Sequence, residues 1–401
     1  MSPVVTTPPD RRRRRLAPIG HGDLDCTPVA EDLNWLHDIL GAAPDGQTTE
    51  YLGRVAGGEL RLLVPTRPAP AAAAAMRRPN SDRSPVQWAQ SLVGQAVGRL
   101  GLAPRVPGRR LMLAPFELVD HLARVLGQPG LVAAVTLGPR RRNRKPVLQL
   151  LRPDGHVVGY AKVGWSALTT ELVDNEADVL RLLEGRLSPS VVAPVMLHHE
   201  TWRTRSVAVA SPLRPGRYRF GRGPTMAEIV WSIAACDQPV RGAVAELTAF
   251  EQWADAGLDH DVDLDQLRNR HGDVELQLGL WHGDLTPWNM AMGNTSALVW
   301  DWEFAQTGRP VGFDVLHHHF EKHRRAPRGT SQTALTALVA EADEVLEPLG
   351  LGLRPNRRDA LLDLYLCELL ARERRLSAQQ WNGQLADLGP AALGLLRQRL
   401  G

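Results

Sequence analysis

The sequence predicts an α+β fold in two lobes, an antiparallel-sheet lobe followed by a helical one, with an α/β extension at the N-terminus. Three observations predict it. Strand-like runs at 132–137, 147–151 and 157–163 follow one another closely, with the turn pair Asp154-Gly155 between the last two. A helical stretch over 167–187 separates them from two further strand-like runs at 195–198 and 206–210. From about residue 225 the chain reads mainly helical, interrupted near 280–304 by short apolar runs with dense polar punctuation. Strands and helices are thus segregated, not alternating as in a parallel α/β sheet.

The gross composition sets limits on function. With 401 residues the chain is long enough for a two-lobed enzyme, and its 43% hydrophobic and 23% charged residues permit a sizeable core. A formal charge of +3 is too mild to argue for nucleic acid as a partner. No uninterrupted apolar run is long enough for a membrane span. The run Arg11 to Arg15 is not followed by the apolar stretch of a signal peptide. Cys26, Cys236 and Cys367 lie far apart without metal-ligand spacing, which suits a reducing cytoplasm and excludes a disulfide scaffold. Only three of the 47 basic residues are lysine, namely Lys145, Lys162 and Lys322, so each lysine is informative where arginine is the default.

Four segments follow in order. Residues 1–27 read as a disordered Arg-rich tail, having no apolar period. Residues 28–110 read as a module of unknown role, on which a protein partner could dock. It contains a hairpin over 51–55 and 59–64 that turns at Ala56-Gly57-Gly58, and helices at 70–77 and 85–100. Pro104, Pro107 and Gly108 close it. Residues 111–212 form the sheet lobe. It opens with an amphipathic helix marked by Leu118, Val119, Leu122, Val125 and Leu126. Residues 213–401 form the helical lobe.

One constellation carries chemistry. His282, Gly283, Asp284 and Asn289 make an H-x-D-x-x-x-x-N pattern, and the apolar run Ala297-Leu298-Val299-Trp300 then ends in Asp301-Trp302-Glu303. Phosphoryl transfer from ATP asks for this set: one carboxylate to orient the attacking hydroxyl and accept its proton, with an Asn and a second Asp to hold Mg²⁺ against the phosphates. The sequence contains its own controls. His-Gly-Asp occurs three times, at His21, His271 and His282, and the positions five after each Asp hold Pro28, Leu278 and Asn289. Only the third is also followed by a strand ending in Asp.

The stretch from Trp281 to Glu303 resembles the aminoglycoside phosphotransferase and choline kinase-like family, in which the loop reads H-G-D-x-x-x-x-N and the metal motif D-W/F-E. The close match covers roughly 35 residues, including Gly308 to Asp314, where Asp314 reads as the N-cap of the next helix. The resemblance implies a protein-kinase-like fold and an ATP-dependent small-molecule kinase. Its acceptor would be a hydroxyl of a small molecule and its cofactors ATP and Mg²⁺. It implies Asp284 as the catalytic carboxylate, with His282 orienting the loop, and Asn289 and Asp301 as metal ligands. It also implies a lysine on the third strand and a glutamate on the following helix. Lys162, near the end of the 157–163 run, fits the first, and a compact ammonium there is not replaced by arginine. Glu176 fits the second, with Glu171 as the fallback. The alternative reading is a pseudokinase-like scaffold that binds nucleotide without turnover.

The chain departs from the kinase pattern in places. The loop over 138–145 holds one glycine and five cations, Arg140, Arg141, Arg142, Arg144 and Lys145, which offer charge to phosphates in place of a Gly-rich cradle. Thr286 stands where protein kinases carry a basic residue, which points away from a protein substrate. The adenine is expected near Ser211-Pro212-Leu213. His317, His318 and His319, with His323, fall on a predicted helix whose neighbouring positions face different ways, so the run as a whole does not converge on a metal. Asp255, Asp259, Asp261, Asp263 and Asp265 form an acidic stretch that would suit a cationic acceptor, while the basic run from Lys322 to Arg325 points the other way.

Overall fold

The computed structural model describes residues 27–43, 47–76, 108–213, 223–377 and 387–401. The expected tail, Cys26 and the helix over 85–100 lie outside the described residues. The extension consists of α1 (Thr27–Leu40), β1 (Thr49–Ala56), β2 (Glu59–Pro65), α2 (Ala69–Met76) and β3 (Arg109–Leu113). Gly57 and Gly58, with φ of 62° and 78°, close the β1–β2 hairpin, as a two-residue turn of two positive-φ positions requires. The sheet lobe continues with α3 (Glu117–Val125), β4 (Val132–Leu137), β5 (Pro146–Leu151), β6 (Val157–Val163), α4 (Ala167–Leu183), β7 (Val191–Val192), β8 (Met196–Trp202) and β9 (Arg205–Ala210). The strands of the extension join the five expected ones in a single eight-stranded sheet, in the order β3-β1-β2-β4-β5-β6-β9-β8, with every pairing antiparallel.

The alternation of β6 decides which of its residues face the core. Ala161 and Val163 are buried on one face, in a core shared with Leu148 and Val209. Leu36, Ile39 and Leu40 of α1, spaced three and four apart, close the same core. Each of the three is fully buried, worth about 1.5–3 kcal/mol apiece, which anchors α1 to the sheet. The opposite face receives Ala71 and Ala75 of α2 and, further along, Val173 and Ala177 of α4 against Ala208. Lys162, paired with Ala208 across the strands, therefore points toward α4 and not into the first core. Ser166 caps α4 in a reciprocal capping box with Thr169.

The helical lobe contains α5 (Met226–Ala234), β10 (Val240–Ala243), α6 (Ala249–Asp255), α7 (Leu264–His271), β11 (Glu275–Trp281), β12 (Met290–Met292), β13 (Ala297–Val299), β14 (Gln306–Pro310), α8 (Phe313–Arg324), α9 (Ser331–Ala340), α10 (Ala342–Leu346), α11 (Pro355–Ser377) and α12 (Leu388–Leu400). It has its own core, in which Ile229, Ile233, Trp253, Phe313, Phe320 and Tyr365 are deeply buried. The two largest cores thus lie one in each half, the α4 end joining the second, and the α+β arrangement is the one expected.

Three boundaries differ from the sequence reading. β8 runs on to Trp202 because it is the sheet's edge, paired only with β9, and its polar His198-His199-Glu200-Thr201 faces solvent in part. α4 stops at Leu183, where Gly185 adopts φ 70° and turns the chain. Two three-stranded sheets, β10-β11-β14 and β12-β13-β7, also form, the second with β7 of the sheet lobe; most of their strands are short, and β11 is buried on both faces along most of its length. No helix among the described residues is long and apolar enough to cross a membrane.

Candidate active site

The catalytic-motif loop spans the gap between β11 and β12. Gly283 sits there with φ 80°, and a Cβ on it would lie 2.1 Å from the carbonyl oxygen of Phe304, so only glycine fits. The backbone N–H of Asp284 donates to His282 Nδ1 at 3.1 Å, which leaves Nε2–H to donate to the Trp300 carbonyl, also at 3.1 Å. Burial lowers the His282 pKa to about 4, and the ring stays neutral against Trp302. His282 is thus a bracket between the loop and the end of β13. Asp314 differs from expectation: Gly312 stands before α8 and no side chain caps that helix. The Asp314 carboxylate instead accepts the backbone N–H groups of His282 (2.9 Å) and Gly283 (3.3 Å). Burial pushes its pKa up to about 6 despite those two donors.

Asp284 is fully engaged. Asn289 Nδ2 donates to its Oδ2 at 2.9 Å and to its backbone carbonyl at 3.0 Å. Arg372, from α11, donates to Oδ1 at 3.2 Å and also to the Gly283 carbonyl. His317 Nε2 lies 3.1 Å from the same Oδ1, and its Nδ1 is 2.9 Å from the Tyr365 hydroxyl. Burial would raise the Asp284 carboxyl, but the Arg372 guanidinium and His317 outweigh it and hold the group well below the usual carboxylate range.

A second centre faces it across the lobes. Lys162 Nζ is 2.6 Å from Glu176 Oε2, pairs with Asp301 Oδ1, and lies 3.6 Å from Glu303 Oε2. Glu176 is therefore the α4 glutamate in contact with Lys162, whereas Glu171 is exposed. Burial alone would lower the Lys162 pKa, yet three carboxylates raise it well above its ordinary value. Asp301 reaches this point from a left-handed backbone, φ 70°, a strain of about 1–3 kcal/mol in a non-glycine residue. Burial favours the neutral acid in Asp301, but Lys162 and Lys145 hold its pKa below the ordinary value. Burial and Asp301 together push Glu303 up to about 6 against the pull of Lys145 and Lys162. Asn175 of α4 donates to the Glu303 and Ala305 carbonyls, both at 3.0 Å, and ties this segment to the sheet lobe.

The donor set suits a hard divalent cation. Carboxylate oxygens of Glu176, Asp301 and Glu303 lie within 4.8 Å of one another. Asn289 uses its Nδ2 on Asp284, which leaves its Oδ1 as an oxygen ligand.

Several of the contacts were not predicted from the sequence. Lys145 pairs with Glu303 and so joins the carboxylate cluster; its rarity as a lysine was the available signal. Arg140 and Arg144 of the same loop turn the other way, to Asp32 of α1 at 3.1 and 2.8 Å, so those two cations are committed to the extension. Arg142 donates to the Arg375 carbonyl at 2.5 Å. His317, read as part of a histidine run, and Arg372, with no local signal, are the contacts of Asp284. Ser211, near the expected adenine position, closes the sheet edge by two hydrogen bonds with Val195: its N–H donates to the Val195 carbonyl and its Oγ accepts from the Val195 N–H. Most of the acidic stretch lines an open cleft of about 650 Å³, but Asp261 is paired with Arg374 and Arg397, and Asp263 caps α7. Cys236 and Cys367 are buried free thiols, and burial pushes Cys236 up to about 11.

No family model matches the sequence, and no curated protein matches it significantly. Solved structures do match. One is a thermostable mutant of aminoglycoside phosphotransferase APH(4)-Ia in ternary complex with ADP and hygromycin B, at 15% identity and TM-score 0.44, covering 71% of this chain and 98% of that one. A second is the GDP complex of wild-type aminoglycoside 2′-phosphotransferase-IIIa, at 14% identity and TM-score 0.40, covering 71% and 97%. A third is the amicoumacin kinase hAmiN with AMP-PNP, Ca²⁺ and its ligand, at 12% identity and TM-score 0.39, covering 66% and 87%.

Proposed function

We propose that the protein transfers the γ-phosphoryl group of ATP to a hydroxyl of a small-molecule acceptor. The observation that carries this reading is the convergence of two centres from distant segments. Lys162 of β6 meets Glu176 of α4 and Asp301 after β13, while Asn289 joins Asp284 on the adjoining loop. Mg²⁺ held by Asp301 and Asn289 would neutralise phosphate charge. Lys162, positioned by Glu176, binds the α- and β-phosphate oxygens. Asp284 orients the acceptor hydroxyl for in-line attack on the γ-phosphorus: the new P–O bond forms on the acceptor, the bond to the β-phosphate oxygen breaks, and ADP leaves. With its pKa held low, Asp284 is a weak base, so the hydroxyl proton moves to it late, once the attacking oxygen has become acidic. Small amines and sugars are the first acceptors to screen.

Asp284→Asn is expected to lower turnover by about 10²–10⁴-fold while Mg-ATP affinity is unchanged. Normal turnover by that variant would remove Asp284 from the role. One observation favours a second reading, a nucleotide-binding scaffold without turnover: both Asp284 oxygens are engaged by protein groups. Mg-ATP binding without phosphoryl transfer to any hydroxyl acceptor, or to water, would select it.

A further inference from the structure

The histidine run of α8 distributes its side chains to three different places. His317 reaches Asp284 and Tyr365, and His318 Nδ1 lies 3.2 Å from the Leu285 carbonyl. His319 and His323, four residues apart, share a third face of the helix, with ring centroids 4.5 Å apart. Both face Glu341, the residue that ends α9 and precedes α10. Glu341 Oε2 is 3.0 Å from His319 Nε2 and 3.6 Å from His323 Nε2, and the three donor atoms lie within 4.8 Å of one another.

Two features set this trio apart from a simple ion pair. A tetrahedral ion with bonds of about 2.0–2.1 Å holds its ligand atoms about 3.3 Å apart, and the two measured separations straddle that value. The buried Nε2 of His319 also makes no hydrogen bond of acceptable geometry, although a carboxylate oxygen is at hydrogen-bond distance. The nearby Arg324 and Arg325 are paired with Glu321 and do not compete for Glu341.

We propose that His319, His323 and Glu341 form a binding site for a divalent transition-metal ion, Zn²⁺ foremost. Two imidazoles and one carboxylate match the ligand types of zinc, with a fourth position left to water. The ion would staple α8 to the α9–α10 junction. α8 also carries Asp314 and His317, which hold the catalytic-motif loop from the other end of the helix. The site is separate from the Glu176, Asp301 and Glu303 cluster and does not depend on the phosphotransferase reading.

The test uses the full chain, stripped with chelator and titrated with Co²⁺ and then Zn²⁺. One equivalent of Co²⁺ is expected to give the visible absorption of a tetrahedral complex, displaced by Zn²⁺, with Zn²⁺ raising the melting temperature. His323→Ala and Glu341→Gln, both at partly exposed positions, are each expected to abolish the band and weaken Zn²⁺ at least about 100-fold, more than loss of an outer hydrogen-bond partner would. Asp301→Ala is expected to keep the band. Absence of the band in the wild type, its survival in His323→Ala or Glu341→Gln, or its loss in Asp301→Ala alone would each overturn the proposal.

Discussion

Both oxygens of Asp284 are held, one by Asn289 and one by Arg372 and His317, and this sets the acidity of the group. Arg372 stands 88 residues away in sequence, yet it supplies the cation that the loop lacks, since Thr286 occupies the place of a basic residue. Its guanidinium also lies 3.9 Å over the Phe304 ring, which fixes its direction. Removing the cation destabilises the carboxylate relative to the acid, so Arg372→Ala is expected to raise the Asp284 pKa toward its ordinary value. The acid limb of the pH–rate profile would then move to higher pH, a shift that steady-state kinetics across acidic pH would detect. An unmoved limb would mean that another group sets it. Residues whose chemistry is local, such as the Asp284 and Asn289 pair, were legible from spacing. Lys162 was legible because lysine is rare here. Arg372 was not, because a single arginine among many in a long helix carries no local mark of where it points.

At the scale of elements, α1 and the 138–145 loop form one unit. Asp32, almost fully buried, accepts from the Leu60 backbone N–H at 2.9 Å and from Arg144 and Arg140. Arg144 also lies over Trp35, whose ring meets Trp165 edge-on just after β6. The extension thus braces both the loop and the turn that leads to α4. Asp32→Ala would leave the buried Arg144 guanidinium without its carboxylate, while Arg140 keeps Glu31, and a loss of about 3–5 kcal/mol is expected in denaturant unfolding. Burial would raise the Asp32 pKa, but Arg144 and Arg140 bring it below its ordinary value of 3.8. Its stabilisation is therefore complete above pH 3.8 and lost as pH falls through the folded-state value. The stability gap between wild type and Asp32→Asn should shrink in that acidic window. A constant gap would show that the ion pair is not the source. The β1–β2 hairpin of this unit was legible from its Gly-Gly turn. Its pairing onto β4 was not, because long-range strand order leaves no period in the sequence.

Across the whole molecule, Lys145, Lys162 and Glu176 of the sheet lobe meet Asp301 and Glu303 of the helical lobe, while His317 and Arg372 close on Asp284. Asn175 ties α4 to the Glu303 segment and Lys162 crosses to Asp301, so the lobes are joined through the residues proposed to handle ATP. The order of a sheet half and a helical half was legible from where periodicity changes. The two small sheets were not, since four of their six strands have four residues or fewer and β11 is buried on both faces along most of its length, so neither gives a clear alternation. The central claim is a metal-dependent nucleotide site built on Asp301. Calorimetric titration of Mg-ATP into wild type and Asp301→Ala tests it most directly. Binding that requires Mg²⁺, saturates below about 1 mM ATP and is lost in Asp301→Ala is the predicted result. No binding by the wild type at that concentration, or equal binding by both proteins, would contradict it.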